Sequence, residues 1–165
     1  MEENFAFICC NLLCYKHFMN PLPRILGYFG VVPFLILAAL SFLFPDPAAH
    51  NVLAFTHVTY GALIASFLGG IHWPFALQRD MQVQIALSVM PVIIGLAMMI
   101  VAFVVSDVAG LLGMGALFAL IYLVDKSFLP DGAFHPDYQG LRRNLTVLVI
   151  GSYAAALLAR FLVMA

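Results

Sequence analysis

The fold is decided by the stretch SFLGGIHWPFAL, residues 66–77, together with the apolar run that precedes it. From Val52 to Trp73 the chain carries no Asp, Glu, Lys or Arg. A run of about 20 mostly apolar residues can cross the hydrocarbon core of a bilayer as one helix. The paired glycines within the stretch are typical of membrane helices that pack closely against a neighbour. We therefore predict a membrane-spanning helix over residues 52–73.

The composition of the whole chain agrees with a membrane location. Its 165 residues are 64% hydrophobic and 9% charged, whereas soluble proteins carry about 25% charged residues. The net charge is −1, and the seven Lys and Arg residues are scattered along the chain. Such a distribution argues against nucleic acid as a partner, and the lipid bilayer is the expected one.

Three cysteines lie together near the N-terminus, at positions 9, 10 and 14. Their number is odd, and no histidine follows them at the spacing of a zinc finger. We interpret them as reduced thiols without a ligand, with lipidation or metal binding as the alternatives. The sequence predicts no cofactor and no metal site.

Four further apolar runs have the length of membrane helices. The expected fold is an all-α integral membrane protein, a bundle of five transmembrane helices. The predicted helices cover residues 25–44, 52–73, 83–105, 108–124 and 137–163. They form one membrane domain over 19–165. Residues 1–18 are interpreted as an N-terminal extension, because MNPLPRILGYFG, from Met19, is a natural opening for a membrane protein.

The separators between the runs predict where the helices end. Two prolines in FPDPAAHN (44–51) stop the first helix, and Asn51 is expected to cap the second. Pro74 is expected to end or kink the second helix. The short SD separator at 106–107 predicts a tight antiparallel hairpin. Pro136 is well placed to begin the last helix ahead of the membrane.

Basic residues beside the spans predict the orientation of the protein. Six of them fall on one side of the five-span topology, namely Lys16, Arg24, Arg79, Lys126, Arg142 and Arg143. Only Arg160 falls on the other side, where we expect a partly exposed ion pair with Asp107. The N-terminus is predicted to be cytoplasmic and the C-terminus outside. The expected location is a bacterial inner (plasma) membrane, with the mitochondrial inner membrane as the alternative.

Small residues four positions apart predict where helices touch. On the second helix they are Gly61, Ala65, Gly69 and Gly70, and on the fifth they are Gly151 and Ala155. The second helix is therefore expected to be the most enclosed, packed against the fourth or the fifth. A homodimer or another membrane-protein partner is the alternative use of the same face.

Polar residues at the cytoplasmic helix ends form the candidate site. If the glycines bring the second helix against a neighbour, His72 and Trp73 should converge with Asp125 and Arg142. We predict that these four residues bind a lipid or quinone head group, or hold the helices in register. Arginine suits an anionic head group because its planar fork bonds two oxygens at once. The alternative for His72 and Trp73 is a semi-exposed interfacial anchor.

His57 lies deeper, about a turn and a half into the second helix, with Tyr60 along the same flank. A polar residue at membrane depth is a functional hypothesis by default, and a structural hydrogen bond between His57 and Tyr60 is the alternative. His57 and His72 lie about 22 Å apart along a helix. They are therefore too far apart to bind one haem.

Three stretches of the chain resemble a known family. They are PRILGYFGVVPFLILA (23–38), YGALIASFLGGIHWPFAL (60–77) and PDYQGLRRNLTVL (136–148). The matching residues are Ser66, Phe67, Leu68, Gly69, Gly70 and Trp73, followed by Tyr138, Leu141, Arg142, Leu145 and Thr146. Through them the chain resembles the five-span proteins of domain of unknown function 3429, the transmembrane protein 69-like proteins, which include mitochondrial inner-membrane members. The resemblance covers about 19–165 and implies a membrane protein without an assigned reaction.

Three functions are open at this point. A structural or accessory protein of an inner-membrane assembly fits the lack of charged residues in mid-span. A lipid- or quinone-binding protein would use the cytoplasmic ends of the second, fourth and fifth helices. A small transporter or proton pathway would run along the second helix. No nucleotide-binding, zinc-protease or serine-nucleophile pattern is present in the sequence, so no enzymatic reaction is assigned.

Overall fold

The structure, a computed structural model, describes residues 21–44, 46–78, 82–128 and 136–164. Within them lie five helices, which are α1 (Pro21–Leu43), α2 (Pro47–Gln78), α3 (Gln82–Val104), α4 (Asp107–Phe128) and α5 (Pro136–Met164). Each helix is long and apolar enough to cross a membrane. The prediction of five transmembrane helices is therefore confirmed.

The helices form a ring in chain order. Each helix packs against the next one, and α5 closes the ring by packing against α1. α2 also packs across the ring against α4 and touches α5, so it contacts all four other helices. This agrees with the expectation of an enclosed second helix. The predicted packing against the fourth helix is therefore present, although the most extensive contact of α2 is with α3, which the sequence did not indicate.

Two close approaches of the backbone explain the contact between α2 and α3. A Cβ on Gly69 would overlap the main-chain oxygen of Ser88 and would lie 3.2 Å from Cγ of Pro91. Nearer the other end of the pair, a Cβ on Gly95 would lie 3.2 Å from the Cβ of Ala62. Lipid offers no hydrophobic driving force for helix association, so close packing of this kind holds the two helices together.

Gly61 accommodates a side chain from the opposite side of the bundle. A Cβ on Gly61 would overlap the hydroxyl group of Tyr153, which belongs to α5. Ala65, one turn further along α2, is fully buried. These two residues and Gly69 therefore lie on the packed face of α2, as predicted.

Gly70 and Gly151 do not pack within the bundle. Both are exposed, and a Cβ on either would meet no atom of the described chain within 4 Å. Successive residues of a helix point about 100° apart, so the packing of Gly69 turns Gly70 away from α3. The packing roles predicted for Gly70 and Gly151 inside the bundle are wrong. Ala155 is half-buried on α5.

α2 begins earlier than predicted because a different residue caps it. Pro47 is its first residue, and the backbone N–H of Ala49 donates to Asp46 Oδ2 at 2.9 Å. Aspartate at the N-cap followed by proline at the first helical position is a favourable helix start. The cap predicted at Asn51 is therefore wrong, and Asn51 lies within the helix.

The tight hairpin predicted at 106–107 is present between α3 and α4. Only Val105 and Ser106 separate the two helices. The backbone N–H of Ala109 donates to Ser106 Oγ at 3.4 Å. A Cβ on Gly110 would overlap Cβ of Ala102, so a glycine is needed for the two helices to leave the turn side by side.

The remaining helix ends test two proline predictions. α5 begins at Pro136, as predicted. α2 continues beyond Pro74 to Gln78, so the expectation that this proline ends the helix is wrong. The predicted N-terminal extension, residues 1–18, lies outside the described residues.

Aromatic rings fill the centre of the bundle around Phe34 of α1, which has no exposed surface. Its ring lies 4.8 Å from Tyr60 and 5.6 Å from His57, measured between ring centroids. Phe118 of α4 and Tyr153 of α5 lie at 5.8 and 5.9 Å. Four helices thus meet at one aromatic cluster, which fixes the depth of each helix relative to the others.

Candidate functional site

The candidate site lies at the end of the bundle where α2 and α4 end and α5 begins. His72 lies in the last two turns of α2, on the buried face that also carries Ala65 and Gly69. Asp125 lies in the last turn of α4, and Arg142 in the second turn of α5. The antiparallel packing of these helices brings the three side chains together.

The three side chains form one chain of hydrogen bonds. His72 Nε2 lies 2.6 Å from Asp125 Oδ1, and Arg142 Nε donates to Asp125 Oδ2, also at 2.6 Å. Since a carboxylate only accepts, His72 donates to Asp125 through Nε2. Asp125 therefore joins α2 to α5 through its two oxygens. We call these three residues the Asp125 cluster.

The Asp125 cluster is buried, with each of its residues 7–8% exposed. Burying an ion pair carries a large desolvation cost, which the attraction offsets only when the geometry is good and further hydrogen bonds are made. Here each oxygen of the carboxylate has a partner at 2.6 Å. The expectation of a semi-exposed histidine at this position is wrong.

Arg142 is the one member of the cluster with an unused donor. Its Nη2 is buried and has no hydrogen-bond partner among the described residues. In a parallel arginine–carboxylate pair, two N–H groups of the guanidinium bond the two oxygens of one carboxylate. Here His72 holds the second oxygen, so the pair makes a single bond.

Trp73 stands apart from the Asp125 cluster. Its side chain is 47% exposed, and it points about 100° away from His72 on the same helix. Tyr138 of α5, one helical turn before Arg142, instead lies within electrostatic reach of both Arg142 and Asp125. Tyr138 was matched to the family pattern in the sequence but was not one of the four candidate site residues.

A second polar cluster closes the opposite end of the bundle. Arg160 of α5 lies 3.0 Å from Asp107 of α4, measured from Nε to Oδ2. Its Nη2 also donates to Asn51 Oδ1 of α2 at 2.9 Å. We call these three residues the Arg160 cluster. The predicted pairing of Asp107 with Arg160 is confirmed; Asp107 is partly exposed, as expected, whereas Arg160 is buried.

The two clusters join the same three helices, α2, α4 and α5. Arg142 and Arg160 are 18 residues apart on α5, which is about 27 Å along a helix. The hydrocarbon core of a bilayer is about 30 Å thick. The clusters are therefore spaced as two polar layers at the two surfaces of a membrane.

His57 lies between the clusters and is fully buried. Ser152 Oγ donates to the carbonyl oxygen of Val149 at 2.6 Å, so it accepts from His57 Nε2 at 3.2 Å. The opposite ring nitrogen, Nδ1, is then an acceptor, and it has no partner among the described residues. Tyr153 stacks on the imidazole with ring centroids 4.4 Å apart.

The alternative of a hydrogen bond between His57 and Tyr60 is wrong. The Tyr60 hydroxyl donates to the carbonyl oxygen of Gly30 on α1, at 2.9 Å. The histidine bonds α5, and the tyrosine bonds α1. These two bonds hold α2 to the helices on either side of the aromatic cluster.

The buried face of α2 between His57 and His72 carries only small or apolar residues, namely Val58, Gly61, Ala62, Ala65 and Gly69. Gly61 is filled by Tyr153, and Gly69 lies against the backbone of α3. A relay of protons needs polar groups or water at short intervals. Between these two histidines, over about 22 Å of helix, α2 itself supplies no polar side chain on its buried face.

Sequence analysis missed Ser152, Tyr153 and Asn51 as members of the polar network. A signal for Tyr153 was present in the spacing of α5. Val149, Tyr153, Ala156 and Arg160 follow Arg142 at helical spacing and are all buried. Following this helical spacing from Arg142 to the end of the helix would have included Tyr153, which stacks on His57.

The fold and the two clusters define a small integral membrane protein, a five-helix bundle whose buried charges are paired at its ends. The chain belongs to the family described as protein of unknown function (DUF3429), which matches residues 19–158. The resemblance found from the sequence motifs is thereby confirmed. No solved structure matches the chain significantly.

One relative is Transmembrane protein 69 from Xenopus tropicalis. It is 29% identical to the chain over 143 residues, which are 81% of this chain and 52% of the relative. The chain therefore spans about half the length of this curated relative. The match supports an integral membrane protein of this family, and the family description assigns no activity.

Proposed function

We propose that the chain is a structural or accessory protein of an inner-membrane assembly and that it carries out no reaction of its own. The observation that supports this proposal is that the Asp125 and Arg160 clusters use their charges on each other. Each cluster ties together α2, α4 and α5. Charged side chains that pair with one another in this way hold the helices in a fixed register. A scaffold protein requires such a fixed register.

Gly70 and Gly151 support a protein partner within the membrane. Both are exposed, and a side chain at either would meet nothing of the described chain within 4 Å. A small residue on a lipid-facing surface allows the backbone of another helix to approach closely. The partner is a different membrane protein, with a second copy of this chain as the alternative.

Affinity purification in a mild detergent tests this function. The tagged full chain should retain a membrane protein in fixed stoichiometry, as measured by quantitative mass spectrometry. Gly151→Leu should release that protein without changing the melting temperature of the chain, because the added side chain meets no described residue. A chain that purifies alone, and is monomeric by light scattering after chemical cross-linking in the membrane, would contradict the proposal.

A lipid- or quinone-binding protein is the second candidate, and the unused Nη2 of Arg142 favours it. A buried charged donor without an acceptor costs more than a made hydrogen bond contributes. A head-group oxygen would supply the acceptor. Trp73, on the neighbouring face of α2, is positioned to contact the adjoining lipid.

The proton-pathway alternative along α2 receives less support, because the face between His57 and His72 lacks polar side chains. For the location, we propose a bacterial inner (plasma) membrane with the Asp125 cluster on the cytoplasmic side. This orientation agrees with the basic residues Lys126 and Arg143 at that end. Membrane fractionation of the source cells tests the location.

A further inference from the structure

The ligand chemistry of the Asp125 cluster follows from how its three side chains share their bonds. Arg142 and His72 each take one oxygen of Asp125 at 2.6 Å. The second N–H group that arginine normally directs at the same carboxylate is therefore left over, on the buried Nη2. Because Nη2 is buried away from bulk solvent, an acceptor with several oxygens would complete the cluster.

The charges at this end of the bundle indicate an anionic acceptor. Of the described charged residues there, four are cationic and two are anionic, namely Arg24, Lys126, Arg142 and Arg143 against Asp125 and Asp137. The contact between Gly27 of α1 and Leu145 of α5 places Arg24 at the level of Arg142, because each arginine lies three residues nearer the same end. Lys126 and Arg143 are exposed.

The depth of the Asp125 cluster in the membrane indicates which anion it can meet. Arg142 lies about 27 Å from Arg160 along α5, so the two arginines stand near opposite surfaces of a hydrocarbon core about 30 Å thick. The phosphate groups of lipids lie at this level. A quinone carbonyl is neutral, so it does not compensate the excess of positive charge.

We propose that the Asp125 cluster is a binding site for a phosphate group, supplied by an anionic phospholipid or by free phosphate. Arg142 binds the phosphate through Nη2, while Asp125 fixes the guanidinium through Nε. His72 is a positioning residue, because by holding Asp125 Oδ1 it prevents the carboxylate from taking both N–H groups. The proposal rests on the second candidate function and is independent of the accessory role.

The test measures lipid affinity of the full chain in a mild non-ionic detergent by native mass spectrometry. Phosphatidylglycerol and phosphatidylcholine are titrated separately, and inorganic phosphate is titrated in a third arm with melting temperature as the readout. We expect phosphatidylglycerol to bind at least about tenfold more tightly than phosphatidylcholine. A response to inorganic phosphate would assign the site to free phosphate, and a response to lipid alone would assign it to the head group.

Two variants and a matched control decide whether the Asp125 cluster is the site. Arg142→Lys keeps a cation beside Asp125 but loses the second N–H group, so affinity for phosphatidylglycerol should fall about tenfold. His72→Phe should also weaken binding, because Asp125 Oδ1 becomes available to Nη2. Arg143→Lys is the control, since it makes the same change at an exposed neighbour, and its affinity should be unchanged.

Three results would overturn the proposal. They are equal binding of the two lipids together with no response to inorganic phosphate, an equal loss of affinity in Arg142→Lys and Arg143→Lys, or tighter binding in His72→Phe. A purely structural cluster predicts unchanged lipid affinity in His72→Phe even where stability falls. The affinity purification separates the two functions, because the partner is retained in Arg142→Lys if only phosphate binding fails.

Discussion

Arg142 and Arg160 lie on the same face of α5, 18 residues apart, and each pairs with an aspartate of α4. The two aspartates, Asp107 and Asp125, are also 18 residues apart. Eighteen residues are five turns of an α-helix, so both pairs form only in one antiparallel register. Sliding α5 along α4 by a single turn would break both pairs and leave all four charges unpaired.

Replacing Asp125 should therefore lower the stability of the protein strongly. Asp125→Asn leaves Arg142 as a buried cation without a counter-charge, and removing one partner of a buried pair typically costs about 3–5 kcal/mol. The expected result is a loss of many degrees in melting temperature, measured by intrinsic fluorescence in detergent. Lys126→Gln, at the exposed next residue, is the control and should change little. A melting temperature equal to that of the control would mean that Asp125 is not needed to compensate Arg142.

The Arg160 cluster should respond more weakly to the same change. In Asp107→Asn, Arg160 keeps its hydrogen bond to Asn51 at 2.9 Å, and Asp107 is the most exposed member of the two ion pairs. We expect a loss of about 1–3 kcal/mol, larger than the 1 kcal/mol or less of an exposed pair. The double variant Asp107→Asn with Asn51→Ala should lose more than either alone. Stability unchanged in Asp107→Asn would indicate that water reaches this end freely.

Most of the fold could be predicted from the sequence, because the length of an apolar run is fixed by the thickness of the bilayer. The contact between Asp107 and Arg160 was predictable for a related reason. Few charged residues exist in the chain, and topology places these two at the same end. Convergence of His72, Asp125 and Arg142 follows from the same argument, whereas the binding of a ligand there stays a prediction.

What the sequence could not supply is the rotation of each helix about its axis. Gly69 and Gly70 are adjacent and equally small, yet one packs against α3 and the other is exposed. The same ambiguity applies to the adjacent residues His72 and Trp73, of which the first is buried and the second exposed. Moving by one residue along a helix rotates the side-chain direction by about 100°. Because a membrane helix carries apolar residues on every face, no amphipathic pattern in the sequence shows which rotation is correct.

The orientation of the bundle in the membrane can be tested with single cysteines. Cys9, Cys10 and Cys14 are first replaced by serine, and then Ala48→Cys or Lys126→Cys is introduced at exposed positions. We expect a membrane-impermeant maleimide to label position 48 in intact cells and position 126 only after the membrane is opened. The basic residues near Lys126 predict this side to be cytoplasmic. Labelling of both sites in intact cells would contradict the five-span topology. Labelling of position 126 alone in intact cells would mean that the bundle has the opposite orientation in the membrane.

The two neighbouring glycines of α2 provide the sharpest test of its rotation. Gly69→Ala adds a methyl group that would overlap the main-chain oxygen of Ser88, and a rigid backbone cannot withdraw as a flexible side chain can. The helices must separate, with a cost of about 1–3 kcal/mol, as for overpacking in other close-packed interiors. Gly70→Ala makes the same chemical change at an exposed position, where the methyl group meets no described atom within 4 Å. It should be neutral, or stabilise by up to about 1 kcal/mol through the higher helix propensity of alanine. Melting temperatures of the two variants in one detergent show which rotation of α2 is correct. If Gly70 lay against α3 instead of Gly69, the order of the two melting temperatures would be reversed.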